Sequence, residues 1–361
     1  MSAAGTPGRR PRLAYYAHHH GTGHLRHAQN IASLDVVDLL VTSTGERDPA
    51  LLPGPAGYVA LEPDVGAGGE PLPQEPVRGF HYLPTGPLIR KRFARLAAAW
   101  DAFGAEAVLV DVSVEVAVFA RLAGYPVIFR RMPGRRVDDA HRLAYDAASR
   151  LVAYYPSDLE DPEHLSAHGA RSTYLGMLAP APLRGPAGRA GGRRLVVVQT
   201  SLGGSLGLGG IARAAAATPG WDWMVAGNVE SPVGVAAPPN LRLLGVVPDP
   251  ARLMGSADVV VTSAGHNAIA AAAFARRPAV VIPEDRPFGE QAAFAERLRG
   301  LDGVVVARDW DAVPDWGSTL GAAAAGVPDG LAQALLVDRA EFRAGFERMV
   351  GRVVGGCPGP Q

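Results

Sequence analysis

Ala257-Asp-Val-Val-Val-Thr-Ser-Ala-Gly-His-Asn267 runs from an apolar, β-branched segment through a Ser-x-Gly turn into an alanine-rich one. A short apolar run bounded by turn residues reads as a buried strand, and alanine is the best helix former. The stretch therefore predicts a strand from Asp258 to Thr262 and a helix from Asn267 to Arg276, with Ser263, Gly265 and His266 at the turn. Such a turn sets the free N–H groups of a helix N-terminus, the positive end of its dipole, at the carboxyl end of a strand. That arrangement suits an anion.

The same alternation extends in both directions. Downstream, Arg277-Pro-Ala-Val-Val-Ile-Pro283 predicts a strand over Ala279–Ile282, and Phe288-Gly-Glu-Gln291 leads into a helix from Glu290 to Arg299 and a strand over Gly303–Ala307. Upstream lie a strand over Leu241–Leu244, the turn Gly245-Val-Val-Pro-Asp249 and a short helix to Gly255. Before these come strands over Arg194–Thr200 and Trp221–Ala226, with a helix over Leu208–Thr218 between them. The first half repeats the pattern, with strands over Arg12–Ala17, Val36–Thr42, Ala107–Asp111, Pro126–Arg130 and Arg150–Tyr154. Its helices are predicted over Gly23–Ser33, Leu88–Phe103 and Ser113–Ala123. Strands alternating with helices form parallel sheets covered on both faces. The fold expected is α/β, with two Rossmann-like domains and a cleft between them, where open parallel sheets bind ligands.

Between the halves, Ala179 to Gly192 holds four glycines, three prolines and no apolar run, which reads as a linker. The predicted division is 1–178, a linker over 179–193, a second domain over 194–335, and a helix and tail over 336–361. In the tail, Leu331, Leu335, Phe342, Phe346 and Met349 are spaced for one apolar helix face. Leu61 to Thr85, rich in Pro and Gly, reads as a long surface loop of the kind that often binds ligands.

Composition removes several classes. With Lys+Arg and Asp+Glu both at 35, the chain lacks the basic excess that nucleic acid or an acidic membrane would select. Its one cysteine, Cys357, supports neither a disulfide framework nor a thiolate metal cage. The basic N-terminus has no apolar segment after it, and no run of about 18 apolar residues occurs. A cytoplasmic protein is expected, with no transmembrane segment and with peripheral membrane contact left open. Lys91 is the single lysine among many arginines, a bias of G+C-rich, bacterial coding.

Two further turns carry polar groups. His18-His-His-Gly-Thr-Gly-His-Leu-Arg-His27 follows the first strand. As a dinucleotide fingerprint it fails, because Arg26 stands where the third glycine must allow close helix packing. Its distinguishing feature is a pair of imidazoles, His20 and His24, at a strand end; a zinc site lacks an obvious third ligand. Asp111, ending its own strand, either orients a histidine acting as general base or caps the next helix. Gln199-Thr-Ser-Leu-Gly-Gly-Ser-Leu-Gly207 lacks the lysine of a P-loop. Its Gly203 and Gly204 N–H groups and the Ser201 and Ser205 hydroxyls can still cradle a diphosphate.

The Ser263–Asn267 turn, together with Arg277–Pro283, Phe288–Gln291, Gly245–Asp249 and the Gly-Thr-Gly-His turn, closely resembles the GT-B glycosyltransferases. The resemblance is to the branch of MurG-like enzymes (glycosyltransferase family 28, family 1 type), and it covers most of the chain. It implies that Ser263, Gly265, His266 and Asn267 hold a nucleotide diphosphate and that Val246 and Val247 cradle the base with backbone groups. It implies that Glu290 and Gln291 contact sugar hydroxyls. By the same resemblance, His24, in the Gly-x-Gly-His position, is the catalytic base supported by Asp111, with His20 as the alternative. One departure is Ala271, where family members carry a glutamate that binds the ribose. Asp309-Trp-Asp311 matches the metal motif of the other major glycosyltransferase fold, but it lies beyond the donor motifs and reads as surface acid.

The function expected is transfer of a sugar from a nucleotide-diphosphate donor to an acceptor hydroxyl, metal-independent and inverting, with no cofactor beyond the donor. The acceptor, a small molecule or a lipid-linked one, is not specified by the sequence. A nucleotide-sugar hydrolase on the same fold and an inactive binding or partner protein, favoured by Ala271, stand as alternatives.

Overall fold

The computed structural model describes residues 9–18, 23–48, 52, 56–66, 68–178, 192–199, 206–230, 237–247 and 250–356. In the first half, strands β1 (Arg12–Ala17), β2 (Asp38–Thr44), β3 (Gly57–Leu61), β4 (Ala107–Asp111), β5 (Val127–Arg130), β6 (Arg150–Ala153) and β7 (Ser172–Tyr174) form one parallel sheet. Helices α1 (Gly23–Ala32), α2 (Pro87–Phe103), α3 (Val114–Leu122), α4 (Asp139–Ala147) and α5 (Pro162–His168) connect its strands. After β8 (Met177–Leu178), the second sheet uses β9 (Arg194–Gln199), β11 (Trp221–Ala226), β13 (Leu241–Gly245), β14 (Val259–Thr262), β15 (Ala279–Val281) and β16 (Val304–Val306). A small parallel pair, β10 (Leu206–Gly207) and β12 (Val229–Glu230), lies apart from it. The accompanying helices are α6 (Leu208–Ala217), α7 (Pro250–Gly255), α8 (His266–Ala275), α9 (Glu290–Leu298), α10 (Trp316–Ala325) and α11 (Gly330–Leu335). The chain then continues through β17 (Leu336–Val337) into α12 (Arg339–Gly355).

Strand order fixes where ligands can bind. The first sheet runs β3-β2-β1-β4-β5-β6-β7 and the second β13-β11-β9-β14-β15-β16. In each, the connections leave in opposite directions from a central pair, β1/β4 and β9/β14, which opens a crevice at the carboxyl ends of those strands. Ala17 pairs with Asp111 in one crevice, and Gln199 pairs with Thr262 in the other.

Local chemistry explains the elements. Helix α2 starts with Pro87, whose missing N–H would be unpaired there anyway. It ends at Gly104 in the left-handed conformation (φ 67°) and buries Ile89, Arg92, Leu96 and Trp100 along one stripe. Helix α4 has no counterpart in the sequence reading. Its buried stripe of Ala140, His141, Ala144 and Tyr145 has helical spacing, but it is built from alanines, a histidine and a tyrosine rather than large aliphatic residues, so the nine-residue segment reads as polar. Strand β3 is also missed; it sits at the sheet edge with most of its residues only partly buried.

The tail differs from a single apolar face. Leu331 and Leu335, on α11, pack into the core of the second sheet. Phe342, Phe346, Met349, Val350 and Val353, on α12, pack into the core of the first. Between them β17 pairs with β8, and the Asp338 carboxylate caps α12 by accepting from the Glu341 N–H at 2.7 Å. The chain thus crosses back to the first half at Leu336–Asp338. The predicted linker over 179–193 falls mostly outside the described residues.

Candidate active site

The first crevice is organised around Asp111, which is fully buried. Its carboxylate accepts from the Tyr15 hydroxyl at 2.8 Å and from Arg130 Nη1 at 2.8 and 3.0 Å. His24, in the first turn of α1, brings Nδ1 to 2.9 Å from Asp111 Oδ2, off the line of a straight hydrogen bond. The imidazole is 16% exposed, so one edge remains open to the cleft. Burial pushes the Asp111 carboxyl up, but Arg130 and then His24 outweigh it and hold the group well below the usual carboxylate range. The next residue, Val112, has φ 72°, a left-handed conformation that a β-branched side chain avoids at a cost of about 1–3 kcal/mol. Helix α3 takes its cap from Ser113, whose hydroxyl accepts from the Val116 N–H, so Asp111 is not the cap. His20 lies outside the described residues.

Behind this pair is a polar layer that the sequence reading did not single out. Arg130, buried at the end of β5, also reaches His27 Nε2 through Nη2 at 3.0 Å and lies over the Tyr154 ring, 5.0 Å from its centroid. His27 stacks on Tyr154 and meets the edge of His266, each at 5.0 Å between centroids. Burial, then Arg130, pushes His27 well below the normal imidazole range. The usable sequence signal was an arginine closing the apolar run Val127-Ile-Phe-Arg130, a position where an unpaired charge is not tolerated.

The second crevice faces this layer. At Gly265 the chain turns into α8 without a side-chain cap, leaving the helix N-terminus to other partners. His266 Nε2 donates to the Tyr154 carbonyl at 2.8 Å, tying the two halves together. A Cβ on Gly23 would lie 2.5 Å from Asn267 Nδ2, so the starts of α1 and α8 meet face to face. Beside them His27, Tyr154, His266, Asn267 and Phe342 enclose a cavity of about 50 Å³. Ser263 is fully buried, and its Oγ has no hydrogen-bond partner. Gln291 is buried too, and its side-chain oxygen accepts from the Ala264 and Glu284 N–H groups at 3.1 and 2.9 Å. That places Gln291 as a brace for the turn. Val246 and Val247 follow β13, and Val246 is exposed. Ser201, Gly203, Gly204 and Ser205 lie outside the described residues.

Glu290 is held across the cleft by Arg136, with Oε2 2.6 Å from Nη2. Gly134 allows the approach: at φ 101°, a Cβ there would lie 2.9 Å from Glu290 Cα. Arg136 also donates to His141 Nε2 at 3.0 Å, while His141 Nδ1 and His81 Nε2 contact Asp138 at 2.6 and 2.8 Å. His81, Asp138 and His141 bring their ligand atoms within 4.8 Å of one another, the spacing of a metal site. The tautomer argues otherwise. Because Arg136 carries only donors, His141 Nε2 must accept, so the proton sits on Nδ1 and points at Asp138. A metal on Nδ1 would set an N–H against the guanidinium. Asp309 and Asp311, at the surface, pair with Arg308 and Arg213.

Residues 230–316 match the profile of the glycosyltransferase family 28 C-terminal domain. No curated protein matches the chain in sequence. Among solved structures it is similar to the glycotransferase of kitacinnamycin (19% identity, TM-score 0.62, covering 96% of this chain and 99% of that one). It is similar to Acinetobacter baumannii MurG (15%, 0.60, 93% and 98%). A third is the Streptomyces sp. SF2575 glycosyltransferase SsfS6 complexed with thymidine diphosphate (15%, 0.60, 95% and 100%). The protein has the GT-B fold of glycosyltransferases such as MurG.

Proposed function

We propose that the protein transfers a sugar from a nucleotide-diphosphate donor to an acceptor hydroxyl, without a metal and with inversion. The observation that carries this is the His24–Asp111 contact at the carboxyl ends of β1 and β4, set against the N-terminus of α8. With Nδ1 turned to Asp111, His24 takes the acceptor proton on Nε2 while the acceptor oxygen bonds to the anomeric carbon. The bond from that carbon to the diphosphate breaks, and its electron pair leaves on the phosphate oxygen. That growing charge meets the α8 N–H groups and the Ser263 hydroxyl, preorganised donors in a buried setting. The thymidine diphosphate bound to SsfS6, a protein of the same fold, supports a nucleoside diphosphate as the ligand of this half.

The test is donor-dependent release of nucleoside diphosphate from UDP-, TDP- and GDP-sugars with a panel of acceptor alcohols. His24→Ala and Asp111→Ala are each expected to lower turnover by about 10²–10⁴-fold. Undiminished turnover in both removes the assigned base, and loss of activity in EDTA removes metal independence. Ala271 favours a second reading, a binding protein that no longer uses a donor. Calorimetry with UDP, TDP and GDP separates the two, since binding of none supports the second.

A further inference from the structure

We propose that Arg130 is a positioning residue for the His24–Asp111 pair. The proposal rests on the transfer reading above. The contact between His24 and Asp111 is only as well oriented as the carboxylate, and Arg130 Nη1 grips both of its oxygens at 2.8 and 3.0 Å. The Tyr15 hydroxyl on β1 adds a third hydrogen bond, at 2.8 Å from Oδ2, the oxygen that faces His24. The guanidinium is itself held from two further sides, by His27 Nε2 at 3.0 Å and by the Tyr154 ring beneath it. Neither Arg130 nor Asp111 has room to rotate, since both are essentially without solvent contact.

The charge arrangement gives the arginine a second effect. Among the described residues, the charged and titratable groups around the pair are Tyr15 from β1, His27 from α1, Arg130 from β5, Tyr154 after β6 and His266 from α8, with the His18 ring 5.8 Å from that of His24. Arg130 is the fixed positive charge among them, on the far side of the carboxylate from His24. It keeps the carboxylate ionised, so that Asp111 presents only acceptor oxygen to the imidazole and the ring proton is directed to Nδ1.

The test uses the full-length ¹⁵N-labelled protein and the two-bond ¹⁵N–¹H correlations of its imidazoles, with His24 assigned from His24→Gln. In the wild type the His24 ring proton is expected on Nδ1. Arg130→Gln removes the charge and the hold on both carboxylate oxygens, and Nδ1–H and Nε2–H tautomers of His24 should then mix. Arg130→Lys keeps the charge but loses the Nη2 contact to His27 and the planar face over Tyr154 that fix the cation in place. Its His24 tautomers should mix too, to a smaller extent. An unchanged tautomer in Arg130→Gln overturns the proposal. If that variant does not fold, an unchanged tautomer in Arg130→Lys overturns it. Where turnover is measured, Arg130→Gln should lower kcat with KM for the donor unchanged. A merely structural role would lower turnover while the His24 ring proton stayed on Nδ1. The ring-proton readout needs no substrate, so it stands or falls separately from the transfer reaction.

Discussion

His266 makes the joint between the halves sensitive to pH, and the size of the effect can be worked out. Its Nε2 donates to the Tyr154 carbonyl, and its Nδ1 is buried without a hydrogen-bond partner. A second proton would add charge in a dry site that already faces Arg130. Burial, then Arg130, pushes the imidazole down from 6.5 to about 4. A histidine lowered on folding stabilises the folded state fully above the unfolded value. That stability is lost as pH falls from about 6.5 towards about 4, because the unfolded chain then binds the proton first. At pH 5.5, one unit below the unfolded value, the loss from this residue is about 1.4 kcal/mol. Urea unfolding followed by tryptophan fluorescence at pH 7.5 and 5.5 measures it. His266→Gln keeps a donor for Tyr154 but does not titrate. Its stability should drop about 1.4 kcal/mol less than that of the wild type between those pH values, whatever the substitution costs at pH 7.5. Equal drops in the two proteins would refute the reasoning.

Gly134→Ala sets a side chain at φ 101° against Glu290 Cα, and it should lower the free energy of unfolding by about 2 kcal/mol, read by urea titration. The same change should loosen the Arg136–Glu290 contact and raise KM for the donor with little effect on kcat. Phe346→Ala empties a fully buried site where α12 meets the first sheet, and a loss of about 3–5 kcal/mol is expected in the same titration. Ala271→Glu restores the carboxylate that the resemblance places on the ribose, so calorimetry should show nucleoside diphosphate bound about tenfold more tightly. Unchanged affinity would mean that the ribose lies away from this turn of α8.

The elements most legible in the sequence were those with both an apolar run and a turn signal. Strands β1, β4 and β11 begin and end where the sequence places them, because each is mostly apolar and its end is marked by a change of composition. Strand β2 was placed two residues early, since Val36 and Val37 are buried while still outside the ladder. Turns were readable as potential ligand sites because glycine and serine at strand ends have few other uses. What the turns could not show was partnership across the fold. Gln291 looks like a hydroxyl-binding side chain in sequence, yet its amide braces Ala264 and Glu284. Arg130 and Arg136 look like two of many arginines, and only the folded chain sets one behind Asp111 and the other against Glu290. The tail illustrates the same limit. Its apolar spacing was visible, but two cores share it, and the three residues that redirect the chain carry no period.

The return of the chain through β17 has an engineering consequence. Leu336 lies in register with Met177, so the segment between them leaves and re-enters the first half through neighbouring parallel strands about 4.8 Å apart. Topologically, the second half is an insertion in the first. It can be treated as a cassette, cut after Leu178 and before Leu336 and replaced by the corresponding segment of another protein of this fold. The β8–β17 pair would stay with the host, as would α12 with the core it completes, and the graft would have to join that pair and reproduce the surface around His266.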